Sequence, residues 1–250
     1  MIIEKKLEIL DGLPILFIKD LSAIICSDFH LGYEGISADS GIFLPKINLK
    51  SIKAILKKAK DLTNATSIII TGDIKNDFSK VHTEELNEYL ELINYIKSEL
   101  SISDIKIIKG NHDNFIDSIT KSGVKIYGEE ATLSDYTFIH GSELPKKQNS
   151  RFIIMGHIHP SLLLINDNGK KEKLKCFLYC KNKNSSIIVL PALSYFAEGF
   201  SVNIDNVEDM APIFKKIFDI NDAQALCIGD METLNFGKVG SLKKISKYNY

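Results

Sequence analysis

Five short apolar runs in this chain each stop at a histidine, aspartate or asparagine beside a glycine or another turn former. Ala23–Ser27 (A-I-I-C-S) leads into Asp28-Phe29-His30, and Ser67–Thr71 (S-I-I-I-T) into Gly72-Asp73. Ile105–Lys109 leads into Gly110-Asn111-His112-Asp113, Thr137–Ile139 into His140-Gly141, and Phe152–Met155 into Gly156-His157-Ile158-His159. Apolar runs of this length, bounded by turn residues, are buried strands. In open α/β sheets the carboxyl ends of strands are where ligands bind. A chain with this plan is expected to fold so that all five ends converge on one place. Glycine there lets the backbone turn sharply and approach a ligand closely.

Between the first three runs lie two helical patterns. Leu49–Leu62 places Ile52, Ile55, Leu56 and Ala59 on one face, and Glu84–Leu100 turns Leu86, Leu90, Leu92, Ile93 and Ile96 inward. Strand, helix, strand, helix, strand predicts parallel strands with helices against the sheet. At the N-terminus, Met1–Leu10 and Leu13–Ile18 flank Asp11-Gly12, a hairpin turn signal. The second half changes character. Val124–Tyr127, Ala131–Leu133, Thr137–His140, Phe152–Met155, Leu162–Ile165, Leu174–Tyr179 and Ser186–Val189 are closely spaced strand candidates, expected to form a mixed or antiparallel second sheet. Asp209–Ile220 reads as a helix. The expected fold class is α/β: two mixed sheets packed as an α/β/β/α sandwich with helices on the outer faces. The 250 residues suit a single domain, 1–250, with a core at about 20–205 and a C-terminal extension at 206–250.

Formal net charge is -1, so no global basic field draws the chain onto nucleic acid. Thirty of the 31 basic residues are lysine, and Arg151 is the one arginine. Bidentate arginine clamps on phosphate are therefore nearly absent, and metal ions must supply most of the positive charge if phosphate is handled. No apolar run reaches membrane-spanning length, so no membrane contact is expected. Met1–Lys6 lacks the features of a secretory signal, which sets the expectation of a cytoplasmic protein. Cys26, Cys176, Cys180 and Cys227 are then free thiols. Cys176 and Cys180 alone are half a zinc site, with no second pair to complete it.

Of the six histidines, His30, His112, His140, His157 and His159 lie at strand ends. One histidine at a turn is usually an ordinary surface or hydrogen-bonded residue, but five on one plan are not. Asp28-x-His30 and His157-x-His159 are i, i+2 pairs, which on an extended strand point to one face and into one pocket. The donors are mixed oxygen and nitrogen without thiolate, suiting Mn, Fe, Co, Ni or Zn. His82 serves as a control: it precedes a helix, where Thr83 reads as the cap, and it is expected at the surface.

These segments resemble the calcineurin-like metallophosphoesterase superfamily, whose pattern is D-x-H, G-D, G-N-H-D/E, H and G-H-x-H. Every block is present between about Ala23 and Pro160. S-D-F-H-L-G-Y-E, G-H-I-H-P and L-P-A-L with a downstream G-F-S-V-N also resemble a group of small archaeal and prokaryotic predicted phosphoesterases, relatives of the ligase-associated phosphoesterases. The resemblance implies two divalent metal ions, Mn²⁺ being the first choice. Asp28, His30 and His159 would hold one, Asn111, His140 and His157 the other, and Asp73 would bridge both. His112 would face the substrate phosphate as a catalytic residue, with Asp113 orienting it. Many relatives carry Asp or His three residues after the bridging Asp; here that residue is Asn76, followed by Asp77.

The implied function is a metal-dependent phosphoesterase, and within that a phosphodiesterase acting through a metal-bridging hydroxide. Such a metal pair generates hydroxide near neutral pH and neutralises the charge that builds on the phosphate. The expected substrate is a small phosphodiester or nucleotide, with nucleic acid a further candidate. The alternatives are a phosphomonoesterase of small metabolites, a nuclease, and a non-catalytic metal-binding scaffold. An intact ligand set with His112 beside it argues against the scaffold. Lys170-Lys171-Glu172-Lys173 and Lys243-Lys244 read as solvated loops.

Overall fold

The computed structural model describes residues 1–120, 123–146, 150–165 and 168–248. The first sheet opens with three antiparallel strands: β1 (Ile2–Glu4), β2 (Leu7–Ile9) and β3 (Leu16–Ile18). It continues through β4 (Ala23–Cys26), β5 (Ser67–Thr71), β6 (Asp104–Ile108) and β7 (Val124–Tyr127), which run parallel to one another. The helices α1 (Tyr33–Asp39), α2 (Asn48–Thr63), α3 (Thr83–Ser98) and the short α4 (Ile116–Ile119) lie in the connections between the parallel strands.

The second sheet holds β8 (Glu130–Leu133), β9 (Tyr136–Ile139), β10 (Phe152–Met155), β11 (Pro160–Ile165), β12 (Lys171–Lys181), β13 (Ser186–Val189) and β14 (Phe200–Ser201). Its strand order is β14-β11-β12-β13-β10-β9-β8. The sheet is mixed: β9, β10 and β13 are parallel neighbours, whereas β8–β9, β12–β13 and β11–β12 pair antiparallel. Past residue 205 come α5 (Pro212–Lys216), β15 (Gln224–Ile228), β16 (Thr233–Lys238) and α6 (Val239–Tyr248). β15 pairs with β12 and β16 with β15, so this segment broadens the second sheet.

Three layers of apolar side chains separate helix, sheet, sheet and helix, and the period-2 alternation of strands sorts residues among them. Ile24, Ile68, Ile70, Ile105 and Ile107 face Ile52, Leu56, Leu92 and Ile96 of the helices. Their neighbours Ile25, Ile69 and Ile108 face the other way and meet Phe138, Phe152, Ile154 and Ile188 between the sheets. Ile153, Met155, Ile187 and Val189 point outward again, under Ile213, Phe214 and Val239. The α/β/β/α sandwich is thus built from strands buried on both faces.

Several sequence-level expectations need correction. Val124–Tyr127 is not in the second sheet; it is the parallel edge of the first. Met1–Leu10 breaks at the exposed Lys5-Lys6 into a β1–β2 hairpin. Asp209–Ile220 is α-helical only over α5, between 3-10 turns at Val207–Asp209 and Ile220–Asp222, because Pro212 forces a helix start and has no N–H to continue an earlier one. Leu86 and Leu90 are half-buried, while Glu85 and Tyr89 take the inner positions of α3. His82 rather than Thr83 occupies the cap position of α3, and Nε2 of His82 meets Asp77 at 2.8 Å. Lys171, Glu172 and Lys173 are the exposed start of β12, not a loop. The four cysteines are buried free thiols, Cys176 opposite Cys227 across β12–β15. Among the described residues no helix is long and apolar enough to cross a membrane.

Candidate metal centre

The loops that leave β4 and β5 are laced together. Asp28 N donates to Gly72 O at 3.1 Å, Phe29 N and His30 N to Asp73 O at 2.9 and 3.0 Å, and Leu31 N to Ile74 O at 2.8 Å. The loop after β10 joins them, with His157 N donating to Asp28 Oδ2 at 3.1 Å. Glycine makes this approach possible. A Cβ at Gly110 would overlap the Asp73 carboxylate, and one at Gly156 would overlap Ser27 Oγ and the Asp28 carboxylate.

Asp28, His30, Asp73, His157 and His159 all have positive φ, between 42° and 72°. Left-handed backbone at non-glycine residues costs on the order of 1–3 kcal/mol each and gathers at functional sites. This corrects the expectation that strand alternation aims the i, i+2 pairs. The residues lie beyond the strand ends, and left-handed turns aim them. Asp28 and His30 do reach one group of donors, but His157 and His159 separate into two.

The first group is Asp28, His30, Asp73 and His159; the second is Asp73, His140 and His157. Within each, one donor atom per residue lies within 4.8 Å of all the others. Asp73 belongs to both. Asn111 Oδ1 lies 2.9 Å from His140 Nε2, on the side of the second group. All seven expected metal residues are therefore brought together. His82 is elsewhere, at the head of α3.

The donors fit divalent cations. His30 Nε2 and His159 Nε2 face each other at 3.3 Å, and His157 Nδ1 and His140 Nε2 at 3.0 Å. Two facing imidazole nitrogens can share only one proton, whereas a cation between them satisfies both lone pairs. His30 Nδ1 is buried without a hydrogen-bond partner. Burial, and next the adjacent histidine (His159 for one, His140 for the other), lower His30 and His157 to about 4, so both are neutral donors at pH 7. Burial alone would raise Asp73, but its contact with His140 holds it well below the usual carboxylate range. Burial likewise opposes ionisation of Asp28, and His159 overcomes it.

His112 and Asp113 sit beside these groups in a way the sequence did not indicate. His112 N donates to Asp73 Oδ1 at 3.1 Å, and the His112 ring packs edge-on to His30 at 5.3 Å. Its Nδ1 lies 2.5 Å from the Asn76 carbonyl, and its Nε2 lies 3.9 Å from Asp73 Oδ2. Asp113 was expected to orient the ring; instead its buried carboxylate accepts from Ile74 N, Lys75 N and Gly110 N at 2.9–3.1 Å. It binds the loops after β5 and β6 together, and burial followed by the nearby Asp73 raises it to about 6. The ring is held by the backbone carbonyl of Asn76, three residues past Asp73.

Asn48 went unrecognised in the sequence. Fully buried at the start of α2, it donates through Nδ2 to Phe29 O and His30 O at 3.0 and 3.2 Å. Its Oδ1 accepts from Tyr195 N and Ser194 Oγ at 2.8 and 3.2 Å, while Ser194 N donates to Asp28 O. Nothing local to a helix start signals such a brace.

A family model described as calcineurin-like phosphoesterase matches residues 21–174. Among solved structures the fold is similar to nuclease MPE from Pseudomonas putida, at a TM-score of 0.62 and 17% identity, covering 91% of this chain and 94% of that one. Yfce, a phosphoesterase from E. coli, aligns at a TM-score of 0.46 and 13% identity, covering 86% of this chain and 98% of that one. No curated protein matches the sequence. With the family model spanning more than half the chain, across β4 to β12 and every candidate ligand, the chain belongs to the calcineurin-like phosphoesterase family, hydrolases of phosphate esters that use a dinuclear divalent metal site.

Proposed function

We propose that this protein is a phosphodiesterase that works with two divalent ions, Mn²⁺ foremost. Asp28, His30 and His159 hold one ion, Asn111, His140 and His157 the other, and Asp73 both. The observation that carries this reading is the sharing of one carboxylate by two donor groups, with His112 Nε2 beside it. When bound, such ions activate water near neutral pH and neutralise charge on the phosphate. The chain's own residues do the rest. Asp73 places negative charge between the two groups. His140, His157, His30 and Asn111 add neutral donors, so the centre keeps a net positive character toward an anionic ester. His112 presents Nε2 to the leaving oxygen and, in its protonated form, donates the proton that the departing group needs, a step of about 10²–10⁴-fold in comparable cases.

A nuclease is the second reading. Phe78 lies 6.1 Å from the His112 ring and is 62% exposed, and Phe115, beyond Asp113 in the same loop, is 58% exposed. Exposed aromatic rings flanking a phosphate site can stack on unpaired bases. The P. putida protein of similar fold is named a nuclease. One panel separates the readings: Mn²⁺-loaded protein assayed on p-nitrophenyl phosphate, bis-p-nitrophenyl phosphate, cyclic nucleotides and single-stranded oligonucleotides. The diester reading expects the small diesters to exceed the monoester in kcat/KM, and the nuclease reading expects the oligonucleotides to exceed the small diesters. Preference for the monoester overturns the diester reading.

A further inference from the structure

Lys75 follows the Gly72-Asp73 turn and is completely buried. Its ammonium donates to the backbone carbonyls of Asp77 and Lys80, at 2.5 and 3.0 Å, and lies 3.3 Å from Glu85 Oε2 in the first turn of α3. Glu85 is equally buried. Its Oε1 accepts from Asn76 N and Asp77 N at 2.7 and 3.0 Å, and its Oε2 from His82 N at 3.3 Å. The polar contacts of this ion pair thus go to one loop, residues 75–82. A buried ion pair contributes little net stability, since apolar residues of similar volume often serve as well or better. Its effect here is geometric.

What the loop offers the site is the carbonyl of Asn76, 2.5 Å from His112 Nδ1. A carbonyl only accepts, so this contact requires the proton on Nδ1. Nε2, on the side of Asp73, is then the nitrogen that exchanges a proton with the substrate. Asn76 N and Asp77 N are both fixed by Glu85, and Asp77 O is fixed by Lys75. The peptide unit that carries the Asn76 carbonyl is therefore held at its N–H and on either side of it. From the facing loop, Asn114 Nδ2 donates to Phe78 O at 2.9 Å.

We propose that the Lys75–Glu85 pair is a positioning device for His112: it fixes the Asn76 carbonyl and thereby the tautomer and direction of the imidazole. This rests on the reading of His112 as the group that meets the substrate. Neither residue of the pair touches substrate or metal.

The test is a double-mutant cycle joined to imidazole NMR. Lys75→Met is made in the native chain and in His112→Asn, and turnover is measured on a diester with a poor leaving group, with metal content alongside. Lys75→Met alone should keep its metal and lose ~10-fold or more in kcat, with KM changed far less. In the His112→Asn background it should change kcat by less than about twofold, because the two substitutions disable one function. Long-range ¹H–¹⁵N spectra, with the His112 signals assigned by their loss in His112→Asn, should show Nδ1 protonated in the native chain and mixed tautomers in Lys75→Met. An additive loss in the double variant, or an unchanged tautomer, overturns the proposal. Should Lys75→Met not fold, Lys75→Gln, which is shorter and uncharged and so gives up the ion pair with Glu85 while staying polar, faces the same two criteria. A native protein inactive on every diester would defeat the functional reading, while the spectra would still decide the positioning.

Discussion

His140 Nε2 lies 3.3 Å from Asp73 Oδ2, and His140 Nδ1 lies 3.3 Å from the carbonyl of Thr71. Burial by itself would lower this histidine, but the contact with Asp73, the charge of Asp28 and the Thr71 carbonyl together raise it to about 9. In the metal-free protein it therefore carries a proton at pH 7.5, on the ring whose Nε2 would bind the second ion of the proposed centre.

Metal loading at pH 7.5 is accordingly expected to release at least one proton per chain, that of His140. Calorimetric titration in two buffers of different ionisation enthalpy measures this directly. The sign follows for stability. A histidine raised above its ordinary 6.5 stabilises the metal-free fold fully below that pH, and the contribution disappears as pH rises through about 9. Metal-free protein should melt lower at pH 9 than at pH 6.5. No proton release at pH 7.5 would mean that His140 is neutral before metal arrives.

Asp73→Asn should weaken metal binding more than Asn111→Ala. Asp73 contributes charge to both donor groups, whereas Asn111 offers one neutral oxygen beside the second. Titration of metal content in the two variants decides it, and equal or reversed losses would mean that Asp73 is not shared.

Gly110→Ala should impair metal binding although it adds one methyl group and removes no donor. That methyl would collide with the Asp73 carboxylate and with the Asp73 backbone nitrogen, and the backbone cannot move aside cheaply. Loss of at least one ion per chain, measured by elemental analysis on folded protein, is expected. Full occupancy would show that the Gly72-Asp73 turn has room to move.

Much of the centre could be read from the sequence because each donor sits one to four residues past an apolar strand, a local signature. Asp28, Asp73, His140 and the paired histidines of Gly156-His157-Ile158-His159 were visible for that reason. The division of His157 and His159 between two groups was not visible. It depends on left-handed backbone at both, which residue type does not announce. Asp113 and Asn48 were misread or missed because, Gly110 apart, their side-chain partners lie 18 to 147 residues away in the chain. The placement of β7 failed for a related reason. An edge strand with a half-buried pattern does not reveal which sheet it joins.

His112→Asn should keep both metals and lose most turnover. Its side chain contacts Asn76 O and stands 3.9 Å from Asp73, outside both donor groups. If the ring supplies a proton, the defect should be large, about 10²-fold or more, for a poor leaving group. It should shrink for p-nitrophenolate, which departs as a stable anion. Lost metal would recast His112 as a ligand, and equal defects on both diesters would assign it to phosphate positioning.

On the proposed reading, two ions held around Asp73 make this chain a phosphodiesterase. The most direct measurement is bis-p-nitrophenyl phosphate turnover as Mn²⁺ is added stepwise to thoroughly stripped protein. No turnover is expected at zero metal, then a rise that saturates near two Mn²⁺ per chain, and abolition by chelator. Turnover that persists in the stripped protein, or a folded protein that binds no Mn²⁺, would contradict it.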